Sequence, residues 1–198
     1  SSTEDEVLGV LSTAQAQIAS IPYELDEILI GYWIEGEGYN GAFGPQTSLN
    51  DENITGVTPL FVKMNMVQGA SVRLVNPAGM RFSTHIDKSY LELLDNLGIS
   101  YSFGTLIAKA DDVKTDGEVD YSLLTIDAPI TKLDIKSTVF HENQTHRIVN
   151  GAIVGIKPDH YDWDFVGLGY MKVVYADGSE GVFYANATDT VRSVNRVA

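Results

Sequence analysis

The chain has 198 residues, 44% hydrophobic and 20% charged, a composition ordinary for a globular protein and a length that allows one sizeable core. A formal net charge of −14 argues against nucleic acid or an anionic membrane as partner, because both present phosphate that this chain would repel. The absence of cysteine excludes disulfides and thiolate metal sites, and no apolar run reaches the roughly 18 residues of a membrane span. The sequence opens Ser-Ser with no signal peptide in view, which reads as a processed or excised piece.

Residues 2–21 carry a helical pattern. Ser2 or Thr3 is placed to cap it, Glu4 to Glu6 suit the positive end of the helix dipole, and Val7, Leu8, Leu11, Ala14 and Ile18 form a stripe that Pro22 ends. Residues 1–22 therefore form an N-terminal helix or linker, and 23–198 a single β-rich domain. "EILIGYW" (27–33) reads as a strand. Residues 35–56, with Gly36, Gly38, Gly41, Gly44 and Pro45, read as a long Gly-rich loop.

Beyond Val57 the pattern is mainly β. "GASVRLV" and "MRFSTHI" alternate around the turn tetrad "NPAG" and predict a hairpin. A helix follows, with Asp87 as cap, Tyr90, Leu91, Leu94 and Leu97 as buried stripe and Gly98 as its end. "ISYSFGTLIA", "YSLLTIDA" and "THRIVNGAIVGI" are further expected strands, separated by the acidic excursion "DDVKTDGEVD". "FVGLGYMKVVYADGSEGVFYAN" predicts a hairpin around Asp177-Gly178, and Val191, Val194 and Val197 predict a short terminal helix. The fold class is mainly β, α+β in its helices: an antiparallel β-sandwich with one or two helices packed on it, the alternative being a partly open β-barrel.

"GASVRLVNPAGMRFSTHI", the helix after it and "YSFGTLIA" together resemble an accessory β-rich module that recurs in large secreted and surface proteins of Gram-positive and gut bacteria. The family's closing hairpin and R-S-[IV] segment have counterparts in Lys172 to Gly178 and in Arg192-Ser193-Val194. The resemblance spans residues 69–198, with Met80 standing where Ile or Leu is usual. It implies an extracellular or cell-surface location, neighbouring domains of a larger parent protein, and no catalytic residues.

Three constellations bear on chemistry. "HENQTH" (141–146) has one residue too many for H-E-x-x-H: on a helix, i and i+5 lie about 140° apart and do not share one zinc. Its neighbours Val139, Phe140, Ile148 and Val149 instead predict strand and turn. Asp159, Asp162 and Asp164 in "PDHYDWDF" supply oxygen ligands suited to Ca2+, without EF-hand order, so a Ca2+ ion is compatible with the chain while no cofactor is required. Trp33, Tyr39, Asn40, Tyr161 and Trp163 lie in segments where exposed aromatics and an amide would bind a sugar ring. The resulting expectation is a non-catalytic module whose partner is a polysaccharide or surface glycan. A ligand-free structural spacer is the alternative, and an acid/base glycoside hydrolase, pairing Glu35 or Glu37 with Asp162 or Asp164, is the second.

Overall fold

The computed structural model describes residues 26–75 and 77–197. The helix expected at 2–21 lies outside them.

The protein is mainly β: two antiparallel sheets packed as a sandwich, with few short helices, and neither sheet closes into a barrel. The strands are β1 (Glu27–Gly36), β2 (Tyr39–Phe43), β3 (Ile54–Met66), β4 (Ser71–Arg73), β5 (Gly79–Asp87), β6 (Ser100–Lys109), β7 (Lys114–Thr115), β8 (Glu118–Val119), β9 (Leu133–Lys136), β10 (His141–Glu142), β11 (His146–Val154), β12 (Phe165–Val174), β13 (Glu180–Tyr184) and β14 (Val191–Arg192). The seven-stranded sheet runs β10-β11-β5-β3-β1-β2, with β4 also on β5. The five-stranded sheet runs β13-β12-β6-β9, with β14 also on β12, and β7-β8 is a separate ribbon. The chain divides into two compact units, one of Ser1–Lys63, Ser89–Tyr101 and Lys172–Phe183, the other of Met64–Lys88, Ser102–Met171 and Tyr184–Ala198. No helix of the described residues is long and apolar enough to cross a membrane.

In the first unit, β1 and β2 form a hairpin through Glu37-Gly38, with Gly38 at φ +80°. The Gly-rich segment expected as a loop over 35–56 is thus strand on both flanks, and its irregular part shrinks to 44–53. The glycines mark close approach rather than loop: a Cβ on Gly41 would lie 2.7 Å from the Ala176 Cβ. Leu49 folds back from the loop onto Tyr32, Ile34 and Ile54. Helix α1 (Lys88–Asn96) buries Leu91 and Leu94. It ends as the sequence predicts, with Gly98 at φ +71° and the paired bonds Ile99 N to Leu94 O and Gly98 N to Asp95 O of a Schellman motif.

The second unit holds the facing sheets. Gly167 and Gly169 of β12 lie against Phe82 and Thr84 of β5, where added Cβ atoms would come within 2.3 and 2.1 Å of those side chains. Gly151 of β11 meets Thr105 of β6 in the same way. Small residues on one sheet thus receive large ones from the other, which gives close packing without strain. One expected strand does not form. "YSLLTIDA" is a 3-10 turn, Tyr121–Leu123, followed by irregular chain. Local turns and one side chain hold its backbone instead: Leu124 N–H donates to Tyr121 O, Ala128 N–H to Thr125 O and Ile126 N–H to the Tyr184 hydroxyl, while the Leu124 side chain is fully buried. Strand β9 arises where none was expected, on the edge of the sheet beside β6.

Candidate ligand-binding site

Residues 157–165 run from β11 to β12 in the second unit. Pro158 starts a 3-10 turn, Pro158–His160, and Trp163 N–H bonds back to His160 O at 3.0 Å. This tight return lays the His160 ring on the Trp163 indole, 3.6 Å apart and inclined by 19°. The Nζ of Lys109, the last residue of β6, lies 3.5 Å from the same ring, a cation–π contact. Trp163 keeps 37% of its surface exposed.

Lys109 also borders a cavity of about 250 Å³. Ile107, Leu133, Ile153 and Phe165 give it an apolar lining, and Lys109, Asp112, Thr131 and Lys132 bring polar groups to it. Lys132 Nζ is oriented by the Ala128 carbonyl, 2.6 Å away. An exposed indole beside a mostly apolar hollow with a few convergent polar groups has the chemistry of a small-ligand or sugar subsite. Of these residues the sequence singled out Trp163 alone for a sugar. Lys109 and Asp112 come from one segment and Thr131 and Lys132 from another, and no spacing signals their meeting.

The structure divides the expected aromatic platform. Across β1 and β2, Trp33 opposes Ala42 and Glu35 opposes Asn40, so Trp33, Glu35 and Asn40 share one face. Tyr39 opposes Gly36 and lies on the other face, in edge contact with Phe43 and packed on the Tyr32–Ile34–Leu49–Ile54 cluster. Its hydroxyl donates to Asp51 at 2.6 Å, and this bond raises the phenol's pKa and lowers that of the carboxyl. Trp33 and Tyr39 therefore belong to no common platform. Tyr161 is half-buried, and its carbonyl accepts from Asn195 N–H.

The expected Ca2+ ligands do not gather. Asp162 accepts from the Asn195 amide and Asp164 pairs with Arg196 at 3.2 Å, both from the terminal turn α2 (Val194–Val197), while Asp159 lies 3.7 Å from His160. Among the described residues, no group of three or more His, Asp or Glu is placed to hold a metal ion. The acidic excursion is the β7–β8 ribbon, turned at Asp116 and Gly117, both at positive φ.

"HENQTH" is strand, turn and strand, as its flanks predict. His141 opposes Ile148, and Asn143 Oδ1 accepts from the N–H groups of Thr145 and His146. His146 Nε2 meets Asp87 at 2.8 Å, and its ring lies 5.5 Å from that of His85. Burial first, and the neighbouring His146 second, lower the pKa of His85. The unfolded chain therefore takes up a proton at His85 before the folded chain does, and stability falls as pH drops through about 6.5. We expect the melting temperature to decline between about pH 8 and 5, above the range where carboxylates titrate, and the decline to be shallower in His85→Gln.

Among the described residues, each carboxyl group with a displaced pKa, Asp51, Asp111, Asp120, Glu142, Asp177 and Asp189, is displaced downward by hydrogen bonds or ion pairs. Asp189, held by Arg192 and Gln68, reaches about 2. No protein-family model, no curated protein and no solved structure matches this chain.

Proposed function

We propose that this chain is a non-catalytic, extracellular accessory module that binds a glycan or cell-surface polymer, with Trp163 and the adjoining hollow as the binding subsite. The observation that carries the reading is the Trp163 indole, pinned by His160 and bordered by Lys109 beside the polar-edged cavity. A sugar ring laid on the indole displaces Lys109 Nζ from it at little cost, because the lysine stem is flexible and its ammonium can then bond a ring hydroxyl.

The spacer reading rests on a different observation: Tyr32, Phe82, Phe103, Phe165, Tyr170 and Tyr175 are buried and serve the core. Affinity electrophoresis through a panel of soluble polysaccharides separates the two. The module reading expects retardation by at least one polymer, reduced roughly tenfold in apparent affinity by Trp163→Ala, the usual scale of an aromatic anchor. Absence of retardation by every polymer would leave the spacer.

A further inference from the structure

On the outer face of the second unit, β5 lies between β4 and β11. Arg81 opposes Ser71 on one side and Ala152 on the other, and Gly79 opposes Arg73 and Val154. Opposed residues share a face, so both arginines stand on the face opposite the buried Met80 and Phe82. Arg73 and Arg81 are diagonal neighbours across the β4–β5 pair, with separations of roughly 7–8 Å expected at their bases.

Between them lies a depression of about 330 Å³. Its floor is low because Gly79 and Ala152 carry almost no side chain. A Cβ on Gly79 would come within 2.9 Å of the Ile153 carbonyl and 3.3 Å of Val154 Cγ1, so no side chain fits at this position without shifting β11. Val154, opposite Gly79 and on the arginine face, gives it an apolar wall and is 70% exposed.

The two arginines lack counter-charges. Arg81 Nε donates to the Ser71 hydroxyl at 3.1 Å, a neutral partner. Among the described residues, neither guanidinium has a carboxylate within 4.0 Å, although the chain holds 27 Asp and Glu against 13 Lys and Arg. Arg147, Arg192 and Arg196 do find carboxylates. Two like charges set side by side over a hollow, in a chain rich in unused acid, repel each other until an anion joins them. Guanidinium groups suit planar carboxylate and tetrahedral sulfate alike, with paired N–H donors.

We infer that the Arg73–Arg81 hollow is a binding subsite for the acidic group of a sugar residue, the carboxylate of a uronic acid or the sulfate of a sulfated sugar. The guanidinium groups hold the anion, the Ser71 hydroxyl orients Arg81, and Val154 meets the apolar edge of the ring. The net charge of −14 opposes the long-range approach of a polyanion, so the anion is held by the arginines in contact. The opposing field is screened over about 8 Å at physiological salt. The inference rests on the glycan-binding reading and specifies its ligand class.

The test is affinity electrophoresis of the whole chain through dextran, dextran sulfate and polygalacturonate, for the wild type, Arg73→Gln, Arg81→Gln and Trp163→Ala. Both arginines are exposed, so the glutamine variants should keep the wild-type melting temperature. Retardation by one or both acidic polymers, weakened roughly tenfold by each Arg→Gln change, is the expected result. Preference for polygalacturonate assigns a carboxylate, and preference for dextran sulfate a sulfate ester. Retardation by an acidic polymer that both glutamine variants keep would overturn the subsite. Retardation by dextran alone, lost in Trp163→Ala, would overturn it while leaving the glycan-binding reading in place. No retardation by any of the three polymers would overturn the subsite, and the wider neutral panel would then decide the parent reading separately.

Discussion

Phe82→Ala is expected to lower the stability of the fold by about 3–5 kcal/mol, the cost of removing a fully buried phenyl ring from a core that collapses only in part. The ring has no substitute near it. Its partner across the sandwich is Gly167, which has no side chain to move into the space, and the β12 backbone is held by its ladder to β6. The converse change is also costly. In Gly167→Ala the new Cβ starts 2.3 Å from the Phe82 ring, and overpacking of this kind costs about 1–3 kcal/mol. The two changes are coupled, because the methyl group of one fills part of the hole left by the other. Urea denaturation of both single variants and the double variant should show the double less destabilised than the sum of the singles, by more than about 0.5 kcal/mol. Simple additivity would mean that Phe82 and Gly167 do not share a contact in solution.

Alkaline pH should destabilise the chain more steeply than its ordinary tyrosines would. The Tyr175 hydroxyl donates to the Ile30 carbonyl within the first unit, and burial pushes its pKa up to about 12. The Tyr170 hydroxyl donates to Asp134 within the second unit, and burial followed by that bond raises its pKa further still. In an unfolded chain tyrosine ionises near pH 10. Above that pH the unfolded state sheds protons that these two phenols retain when folded, so stability falls as pH rises from about 10 to 12. Denaturation midpoints at about pH 8, 10 and 11 should fall progressively, and Tyr175→Phe should flatten the slope. The variant should also start lower at about pH 8, by about 1–3 kcal/mol, because the buried Ile30 carbonyl loses its donor. Phenolate absorbance gives a second reading: Tyr170 and Tyr175 should ionise only with unfolding. An unchanged alkaline slope in Tyr175→Phe would place that hydroxyl in contact with water.

Much of the fold was legible in the sequence because its signals are local. Alternation in "MRFSTHI", the Asp177-Gly178 turn and the Gly98 helix end each depend on residues a few positions apart, and each forms where expected. The Gly178 turn differs only in detail: it alone of the pair has positive φ, and Asp177 uses its carboxylate to hold Ser179. The failures share one cause. "EGEGYNGAF" looks like loop because its glycines were weighed by their own freedom, whereas Gly41 is small to admit Ala176, a residue 135 positions away. "YSLLTIDA" has strand composition but spends its backbone bonds on Tyr184 and its neighbours instead of a ladder.

The candidate sites divide in the same way. Composition determined that the chain holds no thiolate site and few cations, and residue spacing alone ruled out a zincin in "HENQTH". Only the tertiary structure decided which aromatics share a face. Period-two alternation separates Trp33 from Tyr39 once the hairpin register is known, and the terminal turn that supplies Asn195 and Arg196 claims two of the three carboxylates offered to Ca2+. The meeting of Lys109 with Lys132 is set by pairing of β6 with the distant β9, and that of Arg73 with Arg81 over Gly79 by the register of the β4–β5 hairpin. Pairing register is fixed by the burial of whole faces, a sum over many residues that no single motif in the chain records.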